Sequence, residues 1–188
     1  MTSSEPVLHL IAGPNGAGKT TLATRVIAPV THLPFVNADV IAEQRWPAAQ
    51  AEHAYQASEA AAEQRRELIA AGRSFIAETV FSHASKLAVI RETQSVGYHV
   101  YLHVVLVPEE LSVARVSDRV RRGGHAVPEE KIRARYVRLW PLIVQARTLA
   151  ERTYFYDNTH AAPQLRHIST YEYGLLSGSV DWPSRSSF

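Results

Sequence analysis

The stretch GPNGAGKT at residues 13–20 decides the fold class of this chain. It directly follows an apolar run, VLHLIA at residues 7–12, and it opens a segment, residues 20–28, with the character of a helix. Its glycines let backbone N–H groups turn inward around phosphate oxygens, which a Cβ atom would obstruct. A strand, a turn with the spacing GxxxxGK(S/T) and a helix, in that order, predict a loop that holds the phosphates of a nucleoside triphosphate.

The residues of this loop have distinct expected roles. Lys19 is expected to reach the outer phosphates, and the Thr20 hydroxyl is expected to bind Mg²⁺. The positive end of the following helix adds unpaired N–H donors. ATP is the expected nucleotide, and GTP stays open because no base-recognition signal is legible. The predicted nucleotide-binding residues of the loop are Gly13, Pro14, Asn15, Gly16, Ala17, Gly18, Lys19, Thr20 and Thr21.

Composition indicates a single domain, residues 1–188, with a sizeable core. The chain is 46% hydrophobic, contains no cysteine and carries a formal net charge of only +2. The absence of cysteine excludes disulfides and cysteine-ligated metal centres. No apolar run is long enough to span a membrane and the first residues lack signal-peptide character, so we expect a cytoplasmic protein.

Predicted strands alternate with predicted helices along the chain. This order favours an α/β fold, a three-layer P-loop NTPase sandwich built on a mainly parallel five-stranded sheet. Pro141 is expected to kink or restart a helix that begins after Pro128. A further strand near residues 165–168 is less clear, and residues 174–188 are expected to form a loosely held tail. The five predicted strands are residues 7–12, 35–39, 74–77, 98–107 and 153–156.

Polar residues follow several of these strands, at the sheet edge where α/β proteins bind ligands. Asp39 is the candidate general base for a substrate hydroxyl, although it could instead cap the helix that follows it. Glu78 could bind substrate hydroxyls or hold metal-bound water, or simply cap the end of its strand. Asn37 and Thr79 belong to the same groups and are predicted to contact substrate, and Mg²⁺ held through water is assigned to either Asp39 or Glu78.

An arginine-rich region on both sides of Gly123-Gly124 predicts a mobile lid, about residues 119–135. Arginine there could neutralise charge on a transferring phosphoryl group. A solvated basic face is the alternative, and we assign Arg115, Lys131 and Arg138 to it. His125 could donate to a phosphate or lie in water, with equal support. The predicted functional arginines are Arg119 and Arg122 in catalysis, Arg122 and Arg135 at the nucleotide, and Arg133 at the substrate.

Four sequence blocks in this order resemble the zeta-toxin family of P-loop kinases, in particular its short stand-alone members. The blocks are GPNGAGKT at residues 13–20, VNADVIA at 36–42, FIAET at 75–79 and RVRRGGHAVP at 119–128, with YDNT at 156–159 as the ending. Together they cover most of residues 7–160. The resemblance implies a sheet of order 2-3-1-4-5 and transfer of the ATP γ-phosphate to a hydroxyl.

In the zeta toxins that hydroxyl belongs to UDP-N-acetylglucosamine. The resemblance therefore suggests a nucleotide sugar as the first acceptor to test and an antitoxin protein as an open partner. This chain is shorter than the toxins, so the acceptor and any toxicity stay open. A nucleotide-hydrolysing regulator without a small-molecule acceptor is the alternative function. Binding to nucleic acid is disfavoured, because the net charge is low and the arginines form no long stripe with interleaved aromatics.

Overall fold

The computed structural model describes residues 5–124, 126–160 and 165–181. The described residues form one seven-stranded sheet in the order β2-β3-β1-β4-β5-β6-β7. Because β1 is the middle one of the five strands β2, β3, β1, β4 and β5, the glycine-rich loop that follows it emerges between the ends of its neighbours β3 and β4. The strands are β1 Val7–Ala12, β2 Phe35–Val36, β3 Phe75–Thr79, β4 His99–Leu106, β5 Arg152–Asp157, β6 Arg166–Glu172 and β7 Leu175–Ser177.

The first five strands are parallel and have the predicted order 2-3-1-4-5. In the register of β1, Leu8 lies opposite Phe75 of β3 and Val100 of β4. The prediction of five strands was incomplete, because β6 and β7 add an antiparallel edge beside β5. The whole of β7 lies within the segment that was expected to be a loose tail. Its short, turn-linked pairing with β6 leaves little periodic signal in the sequence.

Helices cover both faces of the sheet. A π-helical segment, Ala23–Ile27, joins the first two helices into a continuous stretch after the glycine-rich loop. The last helix runs through Pro141 without ending, so the predicted restart there was wrong. The helices are α1 Lys19–Leu22, α2 Ala28–Thr31, α3 Ala38–Arg45, α4 Ala54–Ala70, α5 Ser85–Ser95, α6 Glu109–Arg121 and α7 Glu129–Leu149.

Two buried apolar clusters make the molecule a three-layer sandwich, as predicted. Adjacent residues of a strand point to opposite faces. Leu10 therefore joins the cluster beneath α7, which includes Leu139, whereas Ile11 joins the cluster beneath the first helix, which includes Leu22. Within the described ranges, no helix has the combined length and apolarity that crossing a bilayer requires.

Candidate nucleotide and acceptor site

The glycine-rich loop adopts a conformation that two of its glycines make sterically feasible. Gly18 is left-handed, with φ of 94°, and it directly precedes α1. A Cβ atom at Gly18 would lie 2.5 Å from Asn158 Nδ2, and one at Gly13 would lie 2.6 Å from the carbonyl oxygen of Val105. Both distances are too short for a real Cβ contact, so glycine is required at each position in this structure.

Two buried side chains from distant parts of the chain hold the loop in place. Ser112 of α6 donates a hydrogen bond from its hydroxyl to the carbonyl oxygen of Asn15, at 2.5 Å. Asn158, which follows β5, donates from Nδ2 to the carbonyl oxygen of Ala17, at 2.8 Å. Asn158 belongs to the block YDNT at residues 156–159, which was singled out from the sequence. Ser112 was missed, because a single serine within an amphipathic helix carries no signal of its own.

Lys19 is folded into the loop. Its ammonium donates to the carbonyl oxygen of Pro14 at 2.9 Å, and the side chain is buried. Burial lowers the pKa of Lys19, while the nearby carboxylates of Glu78 and Asp39 oppose that shift. A buried ammonium that donates to a neutral carbonyl is incompletely compensated, so the loop fits an anionic phosphate next to Lys19.

Thr20 and Glu78 meet directly, although they lie 58 positions apart in the sequence. The Thr20 hydroxyl donates to Glu78 Oε2 at 2.9 Å. Magnesium ions prefer oxygen ligands and usually bind through one or two carboxylates, waters and substrate phosphates. A hydroxyl and a carboxylate that meet beside a phosphate-binding loop fit this preference. Thr20 and Glu78 are therefore the residues that would hold Mg²⁺, which would neutralise phosphate charge.

Asn37, not Asp39, caps helix α3. Asn37 Oδ1 accepts hydrogen bonds from the backbone N–H groups of Asp39, at 2.7 Å, and Val40, at 3.2 Å. The alternative interpretation of Asp39 as the cap was therefore wrong. Asp39 lies in the first turn of α3 and is exposed at the edge of a cavity. The carboxylate of Asp39 is available for chemistry, whereas the amide oxygen of Asn37 is committed to the cap.

A cavity of about 620 Å³ lies between the glycine-rich loop and the ends of β2 and β3. It brings the expected phosphate-binding and acceptor residues to one space. Thr79 also lines it, and its hydroxyl accepts a hydrogen bond from the backbone N–H of Phe81 at 3.1 Å. The predicted residues that line the cavity are Asn15, Gly16, Gly18, Lys19, Thr20, Thr21, Asn37, Asp39, Glu78, Thr79, Arg119 and Arg135.

The lid arginines occupy different positions. Arg119 and Arg135 line the cavity, and both act electrostatically on Lys19. Arg115 lines it too, so its assignment to the solvated face was wrong. Arg122 lies beside an adjoining cavity of about 440 Å³, which Asp39 also lines. His125 lies outside the described residues, so the structure does not place its side chain.

Arg133 is bound by glutamates rather than directed into the cavity. Its guanidinium lies 3.2 Å from Glu109, 2.6 Å from Glu110 and 2.9 Å from Glu129. Hydrogen bonds to these carboxylates, first of all Glu110, raise the pKa of Arg133. The contacts with Glu109 and Glu110 tie the start of α7 to the start of α6, whereas Glu129 lies on α7 itself. Arg133 therefore does not lie where its predicted contact with substrate requires.

Two cavity-lining cations were not predicted. Arg65 of α4 and Lys86 of α5 line the cavity on the side of Glu78 and Thr79. Helix α4 is rich in alanine, and nothing in its spacing distinguishes Arg65 from neighbouring charged residues. Their convergence depends on how α4 and α5 pack.

Comparison with protein families and solved structures supports a P-loop kinase fold. A family model described as an AAA domain, AAA_33, matches residues 8–142. A kinase candidate from Chloroflexus aurantiacus has a similar structure, with a TM-score of 0.65, 18% identity and coverage of 85% of this chain and 92% of that one. A search of curated sequences finds no significant match.

Structures of two further proteins also match. One is the AvrRxo1-ORF1:-ORF2 complex with ATP, with a TM-score of 0.70, 18% identity and coverage of 93% of this chain and 61% of that one. The other comes from the PezAT toxin–antitoxin system of Streptococcus pneumoniae, with a TM-score of 0.61, 18% identity and coverage of 84% and 70%. These likenesses confirm, at the level of the fold, the predicted resemblance to kinases of the zeta-toxin kind.

Proposed function

We propose that this chain, which belongs to the AAA_33 family of AAA domains, is an ATP-dependent kinase whose acceptor is a hydroxyl of a small molecule. The observation that supports this proposal is that the glycine-rich loop, Asp39 and Glu78 line one and the same cavity. The glycine-rich loop supplies N–H donors and the ammonium of Lys19 for a triphosphate, and the opposite side supplies the carboxylate of Asp39 for an attacking hydroxyl. A nucleotide-binding protein that only hydrolyses or senses ATP does not need this second side.

In the proposed reaction, the acceptor oxygen bonds to the γ-phosphorus of ATP as the bond to the leaving ADP oxygen breaks. Asp39 takes the proton of the acceptor hydroxyl. Lys19 and Arg119 stabilise the negative charge on the transferring group, which is the main catalytic task in phosphoryl transfer. Mg²⁺ held by Thr20 and Glu78 would neutralise phosphate charge and orient the phosphates. Arg135 closes the cavity from the start of α7.

The first acceptor to test is UDP-N-acetylglucosamine, as the resemblance to the zeta toxins suggests. The protein is incubated with Mg²⁺, ATP and a metabolite panel that includes this nucleotide sugar. Mass spectrometry then detects any product that is heavier by one phosphoryl group. ATP hydrolysis that no metabolite stimulates would instead support a nucleotide-hydrolysing regulator. GTP in place of ATP tests the choice of nucleotide.

Asp39→Asn is the sharpest variant for the proposed chemistry. Loss of a general base costs about 10²- to 10⁴-fold in rate, while the glycine-rich loop still binds ATP. Transfer rates and the Kd for a fluorescent ATP analogue are measured side by side. Glu52→Gln, which removes an exposed carboxylate outside the cavity, is the matched control. Full transfer by the Asp39→Asn protein would overturn the assignment of the base.

An inhibitory partner is a separate part of the proposal. Should the acceptor be a nucleotide sugar needed for growth, induced expression of the protein would slow bacterial growth. Lys19→Ala would remove the effect, and a co-expressed antitoxin would suppress it. Equal growth with the active protein and the Lys19→Ala protein would exclude toxicity while leaving the kinase assignment intact.

A further inference from the structure

The part of the cavity around Asp39, Glu78 and Thr79 is called the acceptor side. It opens into a second cavity of about 410 Å³, between α4, α5 and the sheet. The two cavities share a boundary made by four residues: Arg65, Glu78, Thr79 and Lys86. Beyond this boundary the lining includes apolar side chains such as Phe75 and Val89. A molecule that presents a hydroxyl to Asp39 could therefore extend past Glu78 into this second cavity.

The two cations at this boundary, Arg65 and Lys86, are not paired with a carboxylate among the described residues. Arg65 and Lys86 are both half-buried, and neither forms a hydrogen bond or an ion pair with any residue that the structure describes. Arg66, the next residue along α4, instead pairs with Glu63. Burial lowers the pKa of Lys86, and the charge of Arg65 lowers it further. Two partly desolvated like charges are costly when neither is paired, so a ligand anion that contacts both is favoured.

The nucleotide phosphates are not the expected anion at this position. Lys19, inside the glycine-rich loop, responds electrostatically to Arg119 and Arg135 from the lid. Arg65 and Lys86 also line the second cavity, whereas Arg119 and Arg135 line only the first of these two. The cations of the cavity therefore form two sets. One set serves the phosphate-binding loop, and the other lies on the far side of Glu78 and Thr79.

We propose that the acceptor is itself an anion, and that Arg65 and Lys86 bind its carboxylate or phosphate group while its hydroxyl faces Asp39. The planar guanidinium can donate two parallel hydrogen bonds to either oxyanion, and the ammonium adds a point charge. The identification of this anion as the acceptor rests on the proposed kinase function. Binding of an anion by Arg65 and Lys86 does not require transfer. An anionic acceptor narrows the substrate class to hydroxyl compounds that carry a negative charge.

The direct test uses three probes that share a three-carbon hydroxyl skeleton: glycerol, glycerate and glycerol 3-phosphate. Each is titrated by NMR into protein loaded with Mg²⁺ and ADP, so that the glycine-rich loop is already occupied. We expect one or both anions to bind and glycerol not to bind, which also separates a carboxylate from a phosphate preference. Arg65→Gln and Lys86→Gln should each weaken anion binding by about tenfold or more, the usual cost of one charged hydrogen bond.

Arg91→Gln and Lys131→Gln are the matched controls, because both residues are exposed and line neither cavity. Equal anion binding by the Arg65→Gln and Arg91→Gln proteins would overturn the proposal, as would failure of both anions to bind. Once the acceptor has been identified, Arg65→Gln should raise the KM for the acceptor and leave the KM for ATP unchanged. Specific anion binding without any transfer would keep the anion site and reject the kinase function.

Discussion

The two sides of the cavity differ in how the chain builds them. The donor side, residues 13–20 with Ser112 and Asn158, consists of one continuous loop whose backbone is closed by two buried side chains. The acceptor side consists of Asp39, Glu78 and Thr79 with Arg65 and Lys86, which come from four separate segments. The donor side is therefore a local backbone structure, and the acceptor side is an assembly of side chains.

This difference has a chemical consequence. Backbone N–H groups and one lysine suit the phosphates of any nucleoside triphosphate, so the donor side can be the same in proteins with unrelated substrates. In the proposed kinase, the acceptor side would match one particular molecule, so its charges and shape would set the specificity. Loss of Lys19 on the donor side should then lower transfer to every acceptor, whereas substitution of Arg65 or Lys86 should change the choice of acceptor.

Among substitutions on the donor side, the largest effect is expected from Lys19→Ala. Removal of this ammonium should lower ATP-dependent transfer by at least about 10²- to 10³-fold, because it removes charge stabilisation at the transferring phosphate. The folded state should persist, since the change also removes a buried charge. Steady-state kinetics and a thermal melt measure the two effects, with Lys131→Ala as an exposed control. Normal transfer by the Lys19→Ala protein would break the assignment of residues 13–20 as the donor side.

Acid should destabilise the sheet beneath both sides of the cavity. His9 Nδ1 lies 3.0 Å from His103 Nε2, and burial lowers the pKa of His9 from 6.5 to about 4 and that of His103 to about 3. Both imidazoles are therefore neutral in the folded protein, while the unfolded chain takes up protons below pH 6.5. Stability present above pH 6.5 should be lost as the pH falls towards 3, by on the order of 3 kcal/mol for each histidine.

Thermal melts between pH 7.5 and 4 measure this loss. His103→Gln removes one titrating group and should flatten the dependence of Tm on pH, whereas the exposed His32→Gln should not. ATP binding should decline in parallel with Tm, because the histidines support the sheet and touch neither side of the cavity. A dependence that is equally steep in the wild-type and His103→Gln proteins would contradict the assignment.

A smaller effect is expected from Asn158→Ala, which loosens the donor side without removing a phosphate ligand. The carbonyl oxygen of Ala17 would lose its buried partner, at a cost of about 1–3 kcal/mol. The Kd for ATP should rise by about tenfold if most of that cost falls on the loop. Calorimetry measures both quantities, with the exposed Gln56→Ala as a control. An unchanged Kd would show that the loop keeps its conformation without this bond.

The smallest effect on transfer is expected from Arg133→Gln. Its guanidinium is engaged by three glutamates outside the cavity, so kcat and both KM values should stay close to wild type. Arg135→Gln, two residues along the same helix, should lower kcat because Arg135 lines the cavity. A larger loss of transfer in Arg133→Gln than in Arg135→Gln would restore the original assignment of Arg133 to the substrate.

Much of the fold could be predicted from the sequence. The spacing of residues 13–20, the buried run of β1 and the polar ends of β2 and β3 depend on neighbours in the chain, so they leave a local pattern. The edge strand β7 escaped prediction because three residues that pair through a turn have no periodicity. The π-helical segment after the loop was also not predicted, because amino-acid composition does not indicate whether a helix has α- or π-type hydrogen bonds.

The lid shows where prediction of the site failed. Arg115 was assigned to a solvated face and Arg119 and Arg122 to the lid, yet Arg115 and Arg119 line the main cavity while Arg122 lies beside the next one. Arg133 and Arg135 are equally plausible on sequence grounds, but α7 directs one to the glutamates and the other to the cavity. Periodicity gives the relative angles of side chains on a helix, whereas packing fixes which angle faces the site.

The sequence by itself determined the donor side, because a phosphate-binding loop is a continuous segment whose glycines, lysine and threonine must stand at fixed spacing. It also determined Asp39 and Glu78 as residues at the ends of neighbouring strands. Only the tertiary structure decided that Arg65 and Lys86 line the same boundary beside Glu78, since the two residues lie 21 positions apart in the chain, on different helices. Their charges indicate an anion site only when packing half-buries both side chains there, and no local pattern in the sequence encodes that packing.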